Sequence, residues 1–315
     1  MQEYTEKIRE IARQLLSEGK VDMVIGFTKG SLPLASVPFC ARTPEDADKL
    51  IFDANCWANL ANYLTDRKEK IGVVVKGCDS RSVVNHIVEN KIAREQLVII
   101  GVPCQGMIDR KQVAAVYEGE IETATEDGDS LNITGTAGEK KIARADVLAD
   151  NCTVCVHRNP VIYDELVAEL PAEPEVADRY AKVERVENMS IEERWDFFEN
   201  IFSTCIRCYA CRNACPLCYC PTCFVDESRP QWVGKSQDKT DIWTFHFLRA
   251  YHCAGRCVDC GACVQACPMG IDVRYLTKKL EKDCLDLYGW ESGLSTEQRP
   301  VLDVYSPNDP DQMFK

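Results

Sequence analysis

Two stretches of the chain carry the same spaced set of thiols. Cys205, Cys208, Cys211 and Cys215, closed by Pro216, read CxxCxxCxxxCP, and Cys257, Cys260, Cys263 and Cys267, closed by Pro268, repeat it. A tight CxxCxxC loop presents three thiolates around one face of an iron–sulfur cube. The fourth ligand must come from elsewhere, and the proline turns the chain away after it. Zinc is the alternative, but it needs four ligands, commonly supplied as two CxxC pairs. Two complete copies of the longer pattern favour [4Fe–4S] clusters.

The repeated run resembles the bacterial two-cluster ferredoxins. That resemblance implies a crossed ligand set, in which three cysteines of one copy share a cluster with the last cysteine of the other. One cluster then takes Cys205, Cys208, Cys211 and Cys267; the second takes Cys257, Cys260, Cys263 and Cys215. Three further cysteines, Cys218, Cys220 and Cys223, crowd into CPLCYCPTC. With Cys253 they form a candidate set for a third cluster or a zinc site. Buried thiols packed beside the clusters are the plainer alternative.

The first half offers another set. Gly77-Cys78-Asp79 follows the apolar run IGVVVK, and Pro103-Cys104-Gln105 follows LVIIGV. Both cysteines are expected just past the carboxyl ends of two strands joined by one crossover helix, the edge where open α/β sheets bind ligands. Cys152 and Cys155 add a CxxC in DNCTVCVHRNP. Together these four are a candidate [4Fe–4S] ligand set, with Cys56 in DANCWANL as the competitor for a position. Each alone also fits a buried core thiol, as do Cys40 and Cys284.

The same half resembles the coenzyme F-420 hydrogenase/dehydrogenase beta-subunit family. The segments that carry the likeness are GKVDMVIGF (19–27), ARTPEDADKL (41–50), IIGVPCQGMIDRK (99–111) and DNCTVCVHR (150–158), over about residues 20–160. The resemblance implies a [4Fe–4S] cluster on cysteines of this kind. It also implies electron passage between a partner's iron–sulfur chain and a soluble carrier, often with FAD. The family's glycine-rich stretch appears here only as TKGSLP (28–33), which leaves Gly30 as the candidate phosphate contact. After Cys155 the chain departs from the family pattern and enters the ferredoxin-like half. Arg81 is a candidate neutralising charge for a cluster or phosphate, or a surface partner of its own helix.

The elements that must position these thiols follow from periodicity. Residues 1–165 read as an α/β domain with a parallel sheet. MQEYTEKIREIARQLLSEGK is an amphipathic helix with Ile8, Ile11, Leu15 and Leu16 on one face, and VDMVIGF, IGVVVK and EQLVIIGV are strands. TPEDADKLIFDANCWANLANYL (43–64) reads as a helix capped by Thr43, and SRSVVNHIVENK (80–91) as another with Asp79 and Ser80 as cap candidates. His86 falls within that helix as a partly buried polar residue. Residues 117–150 alternate polar and apolar positions around Glu126-Asp127-Gly128-Asp129, as in a small β-hairpin insertion. Residues 166–190 read as a linker, ending at a capping box of Ser190 and Glu193. Residues 191–290 are expected to be a small α+β two-cluster ferredoxin-like domain, and 291–315 an extended tail. In IWTFHFLRAYHC, Trp243, Phe245, Phe247 and Tyr251 fit a core or docking face rather than a cofactor box.

The chain of 315 residues carries a net charge of −13 and nineteen cysteines. The charge disfavours nucleic acid and anionic membrane as partners. No apolar run is long enough for a membrane span, and the charged start lacks a signal-peptide core, so the expected location is the cytoplasm. There, so many cysteines point to metal or redox chemistry rather than disulfides. The expected role is an iron–sulfur electron-transfer subunit rather than a stand-alone enzyme. Its partners would be other redox subunits of a complex such as a hydrogenase, a formate dehydrogenase or a heterodisulfide-reductase-like assembly, a choice implied by the resemblance. Two alternatives stand beside it: a flavin-containing subunit that itself exchanges electrons with F-420 or NAD(P), and a zinc-bearing scaffold.

Overall fold

A computed structural model describes residues 1–305 and 307. The chain divides into two compact units, residues 1–80 with 91–176, and residues 81–90 with 177 onward.

The first unit opens with α1 (Gln2–Ser17), whose Ile8, Ile11, Ala12 and Leu15 are buried. Strands β1 (Met23–Lys29) and β2 (Ser36–Ala41) follow, then β3 (Ile71–Val75), α2 (Gly77–Val88) and β4 (Leu97–Gly101). After α3 (Arg110–Val116) come β5 (Ile121–Asp127), β6 (Ser130–Gly135) and β7 (Gly138–Ala143), then the short α4 (Asp150–Thr153) and β8 (Glu165–Leu166). The main sheet has the order β2-β1-β3-β4-β8. β1, β3, β4 and β8 run parallel, and only the edge strand β2 is antiparallel. Every residue of β3 is buried, as expected of a β-branched run inside a parallel sheet.

The insertion is larger than a hairpin. β5, β6 and β7 form a three-stranded antiparallel sheet, because a second glycine turn, with Gly138 at φ +86, follows the one at Gly128. Leu131, Ile133 and Ile142 pack it onto Val113, Tyr117 and Val147.

Residues 43–64 do not form one helix. Thr43 does cap, accepting from Asp46 N at 3.3 Å, but only short 3₁₀ turns form, at Pro44–Lys49 and Leu60–Tyr63. Between them the Asp53 carboxylate accepts Asn55 N at 2.8 Å and Asn59 Oδ1 accepts Ala61 N at 3.2 Å. Such side-chain bonds compete with helix. Helix α2 starts at Gly77, earlier than the capping signals suggested, so Asp79 and Ser80 lie in its first turn and do not cap it.

The second unit gathers the later part of α2 with α5 (Ala181–Glu187), α6 (Ile191–Phe202), α7 (Ala210–Asn213), α8 (Lys239–His252), α9 (Ala262–Gln265) and α10 (Arg274–Tyr288). Among the described residues it contains no strand, which corrects the expected α+β character. The cysteine loops direct backbone amides at sulfur rather than at a neighbouring strand. The stretch expected as a linker includes α5, whose Val183 and Val186 are buried. Just before α5, Arg179 bonds Glu281 at 2.6 Å. The capping box is present, with Glu193 N donating to Ser190 Oγ at 3.1 Å and Ser190 N to Glu193 at 2.8 Å. The expected tail is in part packed: Ser292 is buried and bonds Asn85 and the Arg256 carbonyl. Residues 306 and 308–315 of that tail lie outside the described residues.

Candidate metal centres

In the first unit four backbone contacts draw the cysteines of the sheet edge together. Gly77 lies so close to the 157–158 backbone that a Cβ there would stand 2.2 Å from the His157 carbonyl. Cys104 N donates to the Arg158 carbonyl at 3.1 Å. Met107 N points at Cys152 Sγ at 3.3 Å, and Gly106 N at Cys104 Sγ at 3.3 Å. The ends of β3 and β4 are thereby stitched to the CxxC loop, and Cys78, in the first turn of α2, sits where the helix dipole favours negative charge.

A buried cation completes this edge. Lys76 Nζ bonds Asp79 at 2.8 Å and the Ala58 carbonyl at 3.1 Å, with both side chains of the ion pair almost wholly buried. Burial opposes its charge, but Asp79, then Cys78 and Cys104, hold the ammonium above its ordinary value. Burial, with Cys104 close by, pushes the Cys152 thiol up to about 12. As a thiol it is costly to ionise, and a metal that supplies positive charge would reverse that. Cys56 is engaged elsewhere: fully buried, it accepts Asp53 N at 3.3 Å and donates to the Asp53 carboxylate at 3.5 Å.

The other expected cofactor contacts have local duties. Gly30 N donates to the Ala35 carbonyl at 2.8 Å, and a Cβ at Gly30 would meet that oxygen at 2.7 Å. The residue is therefore required by the turn itself. Arg81 is buried rather than on the surface, and its Nε donates to the Ser292 carbonyl at 2.9 Å. His86, also fully buried, bonds the Pro216 carbonyl at 2.7 Å.

In the second unit the two cysteine runs share one backbone shape. Arg207 and Tyr209 adopt φ of 51° and 60°, and at the equivalent positions Asp259 and Gly261 adopt 53° and 73°. Three of the four are not glycine, so each costs about 1–2 kcal/mol of local strain. Such turns aim successive amides inward, as anion-binding loops do. Arg207 N points at Cys205 Sγ at 3.4 Å, and Ile271 N at Cys267 Sγ at 3.4 Å. A short helix, α7 or α9, then follows the middle of each run.

Several of these sulfurs stand close to one another. Burial raises the Cys205 thiol, and Cys267 and Cys208 close by raise it further. Cys215, Cys257, Cys260 and Cys263 line one cavity, together with Cys253 and Arg249. Cys218, Cys220, Cys223 and Cys253 line a second. Among the described residues, Cys215, Cys218 and Cys253 form the one group of three or more potential ligands whose atoms all lie within 4.8 Å of one another. A single zinc ion holds its sulfurs about 3.8 Å apart, from a Zn–S bond of about 2.3 Å. Donor type and inward amides both fit iron–sulfur clusters.

Charges around these sets escaped the sequence reading. Asp259 is gripped by Arg274 at 2.6 and 2.9 Å and by Lys278 at 3.0 Å. Burial would raise its carboxyl, but these cations outweigh that and hold it well below the usual carboxylate range. Arg249 is 4% exposed and donates to the Cys211 carbonyl at 3.0 Å, while its Nε has no hydrogen-bond partner among the described residues. His246 Nε2 lies 3.3 Å from Cys205 Sγ, and its ring stacks on Phe202. Burial, with Arg249 and Arg207 near, brings it down to about 3, so the ring is neutral. The one sequence signal was polar residues inside the aromatic run of α8. Of that run Phe245 is core, while Phe247 and Tyr251 are each half exposed. No helix among the described residues is long and apolar enough to cross a membrane.

Residues 201–271 match the model of the 4Fe-4S dicluster domain. The chain is similar to the F420-dependent formate dehydrogenase subunit beta of Methanocaldococcus jannaschii, with 23% identity over 94% of each chain. It is also similar to the F420-dependent formate dehydrogenase 1 subunit beta of Methanococcus maripaludis, with 24% identity over 94% of this chain and 92% of the relative. Among solved structures, a chain of the F420-reducing [NiFe] hydrogenase complex from Methanosarcina barkeri aligns at 15% identity with a TM-score of 0.38. That alignment covers 50% of this chain and 63% of the other. Both resemblances read from the sequence, to the F-420 beta subunits and to the dicluster ferredoxins, are borne out by the named relatives and the domain match.

Proposed function

We propose that this chain is the iron–sulfur electron-transfer subunit of an oxidoreductase complex of the F420-dependent formate dehydrogenase kind. The observation that carries the proposal is the pair of cysteine loops with matched left-handed turns and amides aimed at sulfur. In this reading Cys205, Cys208, Cys211 and Cys267 hold one [4Fe–4S] cluster, and Cys257, Cys260, Cys263 and Cys215 hold another. Cys78, Cys104, Cys152 and Cys155 hold a third at the sheet edge of the first unit. Bound clusters supply one-electron carriers.

The protein's own residues fix position and potential. Inward amides donate to sulfur, as would His246 in its Nε2–H tautomer, which favours the reduced state. Lys76 and Arg249 offset buried negative charge, and Asp259 opposes it on the side of the second run. Electrons from a partner subunit that oxidises formate would pass through this chain toward a deazaflavin acceptor such as F420. The relatives' names support that pair of reactants.

The test uses the chain purified anaerobically with the subunits that accompany it. Formate-driven F420 reduction is followed beside dye reduction by the formate-oxidising partner alone. Cys208→Ser should leave the partner's dye reduction intact and abolish electron delivery to F420. Undiminished F420 reduction by a complex whose chain has lost that cluster would overturn the proposal.

A further inference from the structure

We infer that Cys218, Cys220, Cys223 and Cys253 form an additional [4Fe–4S] site, beyond the two of the ferredoxin pattern and the one of the first unit. The inference rests on the electron-transfer reading and extends it. The four cysteines line a single cavity of about 510 Å³ in the second unit. Cys253, at the C-terminal cap of α8, is 3% exposed, and Cys218 lies within 4.8 Å of it. Cys220 and Cys223 complete the wall from the loop that follows Pro216.

The cavity is built for an anion. Arg212, Arg249 and Arg256 all line it. Arg212 pairs with Asp226 at 2.8 Å, and Arg256 with Glu89 at 2.5 Å. Among the described residues Arg249 has no carboxylate partner and its Nε is unpartnered, although it is more than nine-tenths buried. A buried guanidinium without a counter-charge is strongly disfavoured. A cube ligated by four thiolates carries net negative charge and would share that guanidinium with the neighbouring ferredoxin-type set. Arg249 lines the neighbouring cavity of Cys215, Cys257, Cys260 and Cys263 as well, so one cation serves two anionic sites.

Zinc fits less well. A zinc ion would need all four sulfurs about 3.8 Å apart, yet the compact trio here is Cys215, Cys218 and Cys253, without Cys220 or Cys223. A zinc ion on that trio would take Cys215 from the ferredoxin pattern. Plain core thiols fit no better, because Cys220 is exposed and Cys223 partly so. Ligation breaks four S–H bonds, releases four protons to solvent and forms four Fe–S bonds. It removes no electron from the thiols, and iron and sulfide come from cluster assembly.

The experiment uses the full chain made and kept without oxygen. Cys220→Ala and Cys223→Ala should each lose about four irons and about four acid-labile sulfides per chain. The spectra of the other clusters should remain. Iron and sulfide equal to the parent chain would overturn the inference, as would one zinc per chain with iron unchanged. Should a variant fail to fold, alkylation of the parent chain decides. Exposed Cys220 should resist iodoacetamide until iron is stripped and react afterwards. Labelling of Cys220 with all iron retained would overturn the inference. A chain with no iron at all would instead defeat the electron-transfer reading on which this one stands.

Discussion

Replacing Asp259 by Asn removes one buried negative charge and keeps the shape. Three bonds are at stake, two from Arg274 at 2.6 and 2.9 Å and one from Lys278 at 3.0 Å. Removing one partner of a buried ion pair costs about 3–5 kcal/mol. Lys278 keeps a second carboxylate, Glu281 at 3.0 Å, so the lower end, about 3 kcal/mol, is expected. At about 2–4 °C per kcal/mol, the loss of visible cluster absorbance on heating should move down by roughly 6–12 °C. The potential should shift as well. Asp259 is two residues from Cys257 and one from Cys260, so it lies within ~7 Å of both along the backbone. One charge over ~7 Å at an effective dielectric of ~20 is worth about 2 kcal/mol, or about 90 mV for one electron. Taking away an anion eases reduction, so the potential should rise. The assay is a redox titration followed by electron paramagnetic resonance, with iron content checked first. A variant with full iron whose potential is unmoved or lower would refute the electrostatic role given to Asp259.

Other perturbations separate the sites. Cys56→Ser should leave iron content unchanged, whereas Cys152→Ser should lose about four irons per chain. Equal losses would contradict the burial of Cys56 against Asp53. His246→Leu removes the contact with Cys205 and should lower the potential of that cluster by about 60 mV, the worth of a hydrogen bond of ~1.4 kcal/mol. Ser190→Ala should cost about 1 kcal/mol of thermal stability with no change in iron, since it touches only the capping box. The Asp259 pair should also be insensitive to pH through the neutral range. Its carboxyl is depressed in the fold, so its stabilisation is fully present above about 4, the ordinary carboxylate value, and is lost only as pH falls below that. The melting difference between parent and Asp259→Asn should therefore be constant from pH 6 to 8, and a difference that vanishes there would contradict the depressed carboxyl.

The parts legible in the sequence were those written in local spacing. The strand in IGVVVK that precedes Cys78 and the strand in LVIIGV that precedes Cys104 each state their geometry within a few residues, and the structure keeps both. Residues 43–64 misled because their apolar positions suit a helix while Asp53 and Asn59 bond their own backbone. The linker and tail misled for another reason. Val183 and Ser292 are fixed by partners far along the chain, Ser292 by Asn85 above all. The charges around the sulfurs were hidden the same way, for neither the grip of Arg274 on Asp259 nor the approach of His246 to Cys205 has a signature in local spacing.

The most direct measurement is iron and acid-labile sulfide per chain on the full-length protein purified without oxygen, with Mössbauer spectroscopy to assign cluster type. The expected result is iron and sulfide in equal amounts, at least about eight of each, held as [4Fe–4S] centres. Zinc in place of iron, or a colourless chain without sulfide, would contradict an electron-conducting role.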